Sequence, residues 1–355
     1  MSFAIVRRLR SLILRAILLV VCATVAGGCP SPTQPTPPPE AVPDPPQISC
    51  PTLTPQISPN GQALAVSFNT SVVLGAQPVT TTCTPASGTL FNIGTTPVSC
   101  TATDARQRSA TCSFNVVVQP PPRLGLTRFV AFGDSITAGE DGNTTLTQQL
   151  RLDSLLGLTY PQVILIGREY PTVLGNLLRA RYATQTIVTV NAGKPGESVG
   201  GDTTCPASCV LSRFTAISSS RAYDVVLLME GSNDIFGGTG GNPLGIPPAI
   251  ANLRRMVQDA RSRGMRVFLA TIPPANPAGA RGLTRYQAIP PLNAEIRTLA
   301  VSEGVPLVDV FNAFNNNFTY LSVDGLHPNA DGFALIASTF YDAIRRELET
   351  TTLVP

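Results

Sequence analysis

After residue 123, short apolar runs alternate with longer helical patterns, and this alternation limits the fold of the chain more than any other feature of its sequence. Five such repeats favour a parallel β-sheet with helices on both faces, because parallel strands need crossover connections. The apolar runs cover residues 128–134, 186–190, 224–230, 266–272 and 305–310. The helical patterns cover residues 170–182, 209–218, 247–264, 291–304 and 330–349. We therefore predict an α/β domain over residues 128–348, with reactive groups at the carboxyl ends of its strands.

The chain before Pro120-Pro121-Pro122 has a different pattern and no sustained helical period. Residues 48–119 contain short alternating runs, such as 63–68 and 113–118, interrupted by Gly, Pro, Asn and Thr. This pattern is typical of a small all-β sandwich, joined to the α/β domain by a linker over residues 120–127. A domain of ~70 residues has a marginal core, so its four cysteines are expected to form structural disulfides, for which the residues alone allow three pairings.

Two stretches of this β domain resemble the hyalin repeat (HYR), an immunoglobulin-like module. They are residues 91–104, Phe-Asn-Ile-Gly-Thr-Thr-Pro-Val-Ser-Cys-Thr-Ala-Thr-Asp, and residues 110–114, Ala-Thr-Cys-Ser-Phe. The resemblance covers nearly all of residues 48–119 and implies that Cys50 pairs with Cys112 and Cys83 with Cys100. The domain is expected to act as a spacer or, alternatively, to bind carbohydrate or protein in adhesion.

The first 28 residues predict an export signal, because Arg7, Arg8, Arg10 and Arg15 precede an apolar run too short to span a bilayer. The stretch Ala26-Gly27-Gly28-Cys29 resembles the lipobox of bacterial lipoproteins, which implies lipidation of Cys29 and anchoring to a membrane. Secretion with a free Cys29 is the alternative. Residues 29–47 are rich in proline and predict an extended linker. The mature chain is therefore expected to be exported, as a membrane-anchored lipoprotein or a secreted or periplasmic protein.

The charge of the chain argues against a nucleic-acid partner. The predicted signal accounts for four of the 25 basic residues and none of the 22 acidic ones, which leaves 21 bases against 22 acids. A nearly neutral chain without a basic cluster lacks the electrostatic footprint that nucleic acids require.

His327 is the only histidine of the chain, so any catalysis that uses a serine or cysteine with a histidine base must use it. It lies in Asp324-Gly325-Leu326-His327-Pro328, a turn just before the last helical pattern. An aspartate three residues earlier can reach Nδ1 around such a turn, which would fix the tautomer and stabilise the imidazolium.

Three further segments with polar or glycine residues follow predicted strands. Gly133-Asp134-Ser135 follows the first, Asn191-Ala192-Gly193-Lys194-Pro195-Gly196 the second, and Gly231-Ser232-Asn233 the third. A serine at a strand end is well placed for nucleophilic attack. Backbone N–H groups in glycine turns and an asparagine amide are suitable donors to an oxyanion.

These four segments, in this order and spacing, resemble the SGNH (GDSL) hydrolase family over residues 128 to about 348. The resemblance implies a flavodoxin-like, three-layer α/β fold and hydrolysis of an ester through an acyl-enzyme, without a metal or another cofactor. It implies Ser135 as nucleophile, His327 as base and Asp324 as its orienter. The Ser135 N–H, Gly196 and Asn233 are the implied oxyanion-hole donors.

Other interpretations of single features remain open. Gly196-Glu197-Ser198-Val199-Gly200 fits the G-x-S-x-G elbow of α/β-hydrolases, although the strand, turn and helix that the elbow requires do not follow one another there. Cys205 and Cys209 lack the further ligands of a zinc site and are expected to form a local disulfide. The segments 139–168 and 236–248 either border the substrate pocket or are irregular surface loops.

The sequence therefore predicts an exported serine hydrolase of carboxylic esters, whose substrate could be a lipid, aryl or carbohydrate O-acyl ester. One alternative is a cell-surface adhesin in which the β domain binds a glycan or protein and the α/β domain is weakly active or inactive. Acyl transfer to an alcohol instead of water would use the same residues.

Overall fold

The computed structural model describes residues 42–140, 142, 164–201, 207–235 and 245–350. The predicted signal, Cys29 and most of the predicted proline-rich linker lie outside these residues. Within the described ranges, no helix combines the length and hydropathy that crossing a bilayer requires.

An all-β domain precedes the α/β domain, as the alternating pattern predicts. Its strands are β1 (Gln47–Ser49), β2 (Gln56–Ile57), β3 (Leu64–Ala65), β4 (Ser71–Val73), β5 (Thr80–Thr84), β6 (Leu90–Phe91), β7 (Gly94–Thr103) and β8 (Ser109–Gln119). The main sheet has the order β2-β8-β7-β5, and smaller pairings join β1 to β4 and β3 to β6. Alternate residues of β7 face the core: Val98, Cys100 and Ala102 are fully buried.

Two disulfides tie this small core together, and both pairings implied by the HYR resemblance are confirmed. Cys50 bonds to Cys112 across 62 residues of sequence, and Cys83 bonds to Cys100 across 17. Cross-links of this kind remove conformational freedom from the unfolded chain, which offsets the limited apolar burial of a domain of this size.

The α/β domain contains one parallel sheet of five strands. A short strand, β9 (Arg123–Leu124), precedes this sheet and lies outside it. The five strands of the sheet are β10 (Arg128–Gly133), β11 (Val188–Gly193), β12 (Val225–Met229), β13 (Arg266–Ala270) and β14 (Leu307–Val308). The sheet order is β11-β10-β12-β13-β14, and every neighbouring pair is parallel. All five residues of β12 are buried, as expected for a central strand covered on both faces.

Helices connect these strands and form the outer layers. They are α1 (Ser135–Ala138), α2 (Tyr170–Arg181), α3 (Ala207–Ser219), α4 (Ile246–Ser262), α5 (Ile289–Glu303), α6 (Val310–Phe314) and α7 (Ala330–Leu348). Helix α2 packs against α7, whereas α3 packs against α4 and α4 against α5. The fold is thus the predicted flavodoxin-like, three-layer arrangement. The chain leaves β10 towards β11 and later returns past it to β12, so the carboxyl ends of β10 and β12 form the switch point at which such sheets bind ligands.

The elements differ from the sequence prediction where tertiary contacts decide their ends. Strand β11 begins later than predicted and continues to Gly193, because it pairs residue by residue with β10 up to Gly133. Strand β14 is shorter than predicted, because Asp309 caps α6 through its side chain and turns the chain into a helix. Leu124 in the predicted linker is buried in the α/β core, where β9 pairs with β15 (Glu349–Thr350).

Candidate active site

Ser135 is the first residue of α1, and only Asp134 separates it from the end of β10. The carboxylate of Asp134 caps this short helix by accepting a hydrogen bond from the Ile136 N–H at 2.9 Å, and it also accepts one from the hydroxyl of Ser232. Burial raises the pKa of the Asp134 carboxyl, although the bonds from Ser232 and Ile136 oppose that shift. The cap therefore fixes the backbone that carries the Ser135 hydroxyl.

His327 connects Ser135 with Asp324. Its Nε2 lies 2.9 Å from the Ser135 Oγ, and its Nδ1 lies 2.6 Å from Oδ2 of Asp324. The ring is only 1% exposed, so these contacts fix its orientation without competition from bulk water. The structure thus brings together the serine, histidine and aspartate that the sequence singles out, although Ser135 and His327 are 192 residues apart.

Asp324 is held in place as an anion. Its Oδ1 accepts hydrogen bonds from the backbone N–H groups of Leu326 at 2.9 Å and His327 at 3.0 Å. Burial by itself raises the pKa of this carboxyl, but the hydrogen bond and charge of His327 together with the backbone N–H groups bring the pKa below its ordinary value. A carboxylate in this state can hold the His327 Nδ1–H and stabilise an imidazolium.

Gly196 lies in a tight turn beside α1. The Glu197 N–H donates to the Lys194 carbonyl at 3.2 Å, which leaves Pro195 and Gly196 in the central positions. Gly196 has a φ of +75°, as a type II turn requires at its third residue. Among the described residues, nothing accepts a hydrogen bond from the N–H of Gly196 or from that of Ser135. Both groups are therefore available to a ligand.

The end of β11 brings this turn close to α1. The Lys194 N–H donates to the Gly133 carbonyl at 2.9 Å. Gly193 packs so tightly on the backbone of Ala138 that a Cβ atom at this position would collide with its nitrogen. A cleft of about 400 Å³ opens here and is lined by Ala138, Ile164, Asn191, Gly193 and Pro195.

Asn233 is oriented by two neighbours from distant parts of the chain. Its Nδ2 donates to the Glu197 carbonyl at 2.9 Å, and its Oδ1 accepts from Nη2 of Arg285 at 3.5 Å. Arg285 is buried and also donates from Nε to the Ser232 carbonyl at 3.0 Å. An amide nitrogen carries two hydrogens, so Asn233 can hold the Gly196 turn with one and keep the other for a ligand.

The Arg285 guanidinium is an unusual buried cation at this site. Burial and the nearby charge of Arg281 lower its pKa to about 10, while Asp134 and Asp324 act in the opposite direction. It therefore stays protonated at neutral pH and places a positive charge beside Asn233. Arg285 cannot be identified as a site residue from the sequence, because no motif surrounds it.

Ser198, the competing nucleophile, is held by an aspartate and has no contact with the histidine. Its hydroxyl donates to Oδ1 of Asp234 at 2.8 Å, and Oδ2 of Asp234 accepts from the Val199 N–H at 3.0 Å. Burial raises the pKa of Asp234, although the bonds from Gly200, Ser198 and Val199 oppose this. The hydroxyl of Ser198 thus serves to anchor the loop that follows β11.

The predicted Cys205–Cys209 disulfide is wrong as far as the structure describes this region. Cys209 is a free, exposed cysteine, and Cys205 lies outside the described residues. Cys209 lies in the first turn of α3, and its side chain is exposed to solvent. Most of the two predicted pocket segments, residues 143–163 and 236–244, also lies outside the described residues.

A buried carboxyl group, Glu230, lies at the end of β12 just before the Asn233 segment. Among the described residues neither of its oxygens has a hydrogen-bond partner, and Nη2 of Arg213 lies 4.0 Å from Oε1. Burial, followed by the charges of Asp134 and Glu197, raises the pKa of Glu230 well above its ordinary value. The folded state therefore keeps a proton on Glu230 that the unfolded chain releases above about pH 4.5.

The glutamine variant of this residue, Glu230→Gln, tests that protonation. Since only the folded state holds the proton, the free energy of unfolding of the wild type should fall relative to the variant as pH rises above 4.5, by up to about 1.4 kcal/mol per pH unit. Urea unfolding, followed by the helical circular dichroism signal, measures the difference in free energy of unfolding between the two proteins. The measurements run from about pH 5 to 8, the range in which proteins tend to be most stable. The control is Glu295→Gln, an exposed position, and equal pH dependence in all three proteins would contradict the assignment.

No group of three or more His, Cys, Asp or Glu side chains among the described residues is arranged to hold a metal ion.

Comparison with known families places the two domains. The model of the GDSL-like lipase/acylhydrolase family matches residues 131–335, and that of the HYR domain matches residues 43–118. No curated protein sequence matches the chain.

Similar solved structures include the lipase/acylhydrolase from Enterococcus faecalis, at 20% identity and a TM-score of 0.47, covering 63% of this chain and 97% of that one. An acetylxylan esterase from Geobacillus stearothermophilus matches at 20% identity and a TM-score of 0.44, covering 62% of this chain and 94% of that one. A carbohydrate acetylesterase from Sinorhizobium meliloti matches at 16% identity and a TM-score of 0.44, covering 62% of this chain and 99% of that one.

Proposed function

Because this chain belongs to the GDSL-like lipase/acylhydrolase family, we propose that it hydrolyses carboxylic esters with Ser135 as nucleophile. The observation that carries the proposal is the continuous hydrogen-bonded chain from the Ser135 Oγ through His327 to Asp324, with distances of 2.9 and 2.6 Å. Such an arrangement activates a hydroxyl that would otherwise keep its proton at neutral pH.

In the first half of the reaction, the Ser135 Oγ attacks the ester carbonyl and its proton moves to Nε2 of His327. Asp324, already ionised, stabilises the resulting imidazolium through Nδ1. The C–O bond to the alcohol then breaks, and the same proton passes from Nε2 to the leaving oxygen. The products of this half are the free alcohol and an acyl group on Ser135.

The negative charge that develops on the carbonyl oxygen needs donors that are already in place. The N–H groups of Ser135 and Gly196 have no acceptor among the described residues, and the amide of Asn233 has one N–H to spare. We assign these three groups to the oxyanion hole, where fixed donors stabilise the transition state more than the substrate.

In the second half, His327 removes a proton from water, whose oxygen attacks the acyl carbon. The bond to the Ser135 Oγ breaks, the proton returns to that oxygen, and a carboxylic acid leaves. The protein is thereby restored without an added cofactor.

The protein acts outside the cytoplasm in this proposal. The two disulfides indicate an oxidising compartment, and the HYR domain is consistent with export. We propose that residues 1–28 are an export signal, that lipidated Cys29 anchors the chain, and that residues 29–47 and the β domain hold the hydrolase domain, residues 128–348, away from the membrane.

A covalent label tests the nucleophile directly. Diethyl p-nitrophenyl phosphate reacts with an activated serine by transferring its diethylphosphoryl group to Oγ as p-nitrophenolate leaves. In the full chain, peptide mapping by mass spectrometry should find this group on Ser135, together with loss of p-nitrophenyl acetate hydrolysis. A label on another serine, or a wild type that neither reacts nor hydrolyses any ester, would refute the proposal.

Ser198→Ala is the matched control, since it removes a serine hydroxyl from the same region. We expect labelling and kcat/KM to stay within about twofold of wild type, because this hydroxyl contacts Asp234 instead of His327. Stability should decrease by about 1 kcal/mol through the lost hydrogen bond, as urea unfolding would measure. Loss of activity in this variant would indicate that the nucleophile is Ser198, in the G-x-S-x-G segment.

A further inference from the structure

A second carboxylate, Glu140, faces the catalytic histidine from the end of α1. Its backbone N–H donates to the Ser135 carbonyl at 2.9 Å, which ties it to the helix that carries the nucleophile. The residue is only 8% exposed, and Oε2 lies 3.8 Å from Nε2 of His327. Neither the proposed proton transfers nor the oxyanion hole uses this group.

Arg281 fixes the orientation of Glu140. Its Nη1 donates to Oε1 of Glu140 at 3.0 Å, and its backbone N–H donates to the Asp324 carbonyl at 2.9 Å. The same guanidinium reaches to 3.9 Å from Oδ2 of Asp324. Arg281 is therefore attached to the turn that carries Asp324 and His327, and it leaves only Oε2 of Glu140 without a hydrogen bond among the described residues.

The position of Oε2 relative to the reaction follows from the proposed chemistry. The carbonyl oxygen of a bound ester points to the N–H groups of Ser135 and Gly196 and to Asn233. The leaving oxygen must lie within reach of Nε2 of His327, which protonates it. An acceptor 3.8 Å from Nε2 is within reach of the alcohol half of an ester held in this way.

We propose that Oε2 of Glu140 accepts a hydrogen bond from a hydroxyl next to the esterified oxygen, so that the site selects esters of polyhydroxy alcohols, carbohydrates included. This inference rests on the proposed esterase function and names its substrate class. A hydroxyl donor satisfies the buried carboxylate, whereas an apolar alcohol shields Oε2 from solvent and supplies no donor. The Arg281 guanidinium, 42% exposed at its side chain, offers donors to a second hydroxyl.

Two acetate esters that differ in one group test the proposal. In 2-hydroxyethyl acetate a hydroxyl stands where n-propyl acetate has a methyl group. The readout is the ratio of kcat/KM for these two substrates, measured by acid release with the full chain. Because the ratio is compared between variants, the intrinsic reactivity of each ester and any loss common to both substrates cancel.

We expect the wild type to prefer the hydroxyl substrate and Glu140→Met to lower the ratio by about tenfold or more, as expected for a hydrogen bond to a charged group. Glu140→Gln has a single acceptor oxygen, which Arg281 holds. Its NH2 group then takes the place of Oε2 and can only donate to the substrate hydroxyl, so its ratio should fall by about fivefold. If Glu140→Met fails to fold by circular dichroism, the glutamine variant carries the test. Glu295→Gln, an exposed glutamate on α5, is the control and should keep the wild-type ratio.

An unchanged ratio in the Glu140 variants would overturn the proposal. If kcat/KM falls equally on both esters, Glu140 acts on a step common to all substrates. If kcat/KM stays at the wild-type value, Glu140 has no role in recognising the alcohol. A wild type that hydrolyses neither ester and no p-nitrophenyl acetate would instead refute the esterase function itself, so the two failures are distinguishable.

Discussion

With alanine in place of Ser135 or His327, kcat for propyl acetate hydrolysis is expected to fall by about 10⁴- to 10⁶-fold. Without Ser135 no acyl-enzyme forms. Without His327 the Ser135 proton has no acceptor, since the Nε2 contact at 2.9 Å connects the hydroxyl to its base and the chain holds no second histidine. Initial-rate assays by acid release on the purified full-length variants would measure both effects.

The double variant Ser135→Ala/His327→Ala gives the sharper result. The two residues act as a unit, so removing both should cost no more than removing the more important one. Independent contributions would multiply instead, and the double variant would then lose the product of the two single effects. Multiplicative losses would contradict the Ser135–His327 assignment, as would a single variant that keeps more than about one hundredth of wild-type activity.

The fold and the contact between Ser135 and His327 could be predicted from the sequence because their signals are local. The alternation of apolar runs and helical patterns is visible in consecutive residues, and it yields the parallel sheet that the structure contains. Ser135 and Asn233 lie within four residues of the carboxyl ends of β10 and β12, which are neighbours at the switch point. His327 needed no pattern beyond being the single histidine, with an aspartate three residues before it.

The groups that orient these residues could not be predicted, because their contacts join distant segments. Arg281 and Glu140 are 141 residues apart, and Arg285 and Asn233 are 52 apart. Neither arginine belongs to a periodic element or a motif that would distinguish it from the other arginines. The buried carboxyl of Glu230 was likewise hidden, since in the sequence it is the polar end of an apolar run.

Asn233, the proposed oxyanion donor, should contribute to the rate independently of the serine and histidine. Asn233→Ala is expected to lower kcat by about 10²- to 10³-fold with little change in KM, because the carbonyl oxygen needs this donor only when it becomes negative. Oxyanion stabilisation persists when the nucleophile is removed, since water can attack the same bound ester. Asn233→Ala should therefore still reduce the residual rate of Ser135→Ala, unlike His327→Ala.

The Asn233 amide also holds the Glu197 carbonyl at 2.9 Å. Asn233→Ala can therefore lower kcat in two ways, by removing an oxyanion donor or by releasing this loop, and a control variant must separate them. Asn252 provides the control: its Nδ2 donates to the Val199 carbonyl of the same loop, also at 2.9 Å, from a buried position on α4. Asn252→Ala removes an equivalent anchor and leaves the proposed oxyanion donors in place. We expect it to lower stability by about 1–3 kcal/mol while kcat, measured well below the unfolding midpoint, changes by less than about threefold. If both alanine variants lost kcat equally, the role of Asn233 would be to hold the loop, and Gly196 and Ser135 would be left as the oxyanion donors.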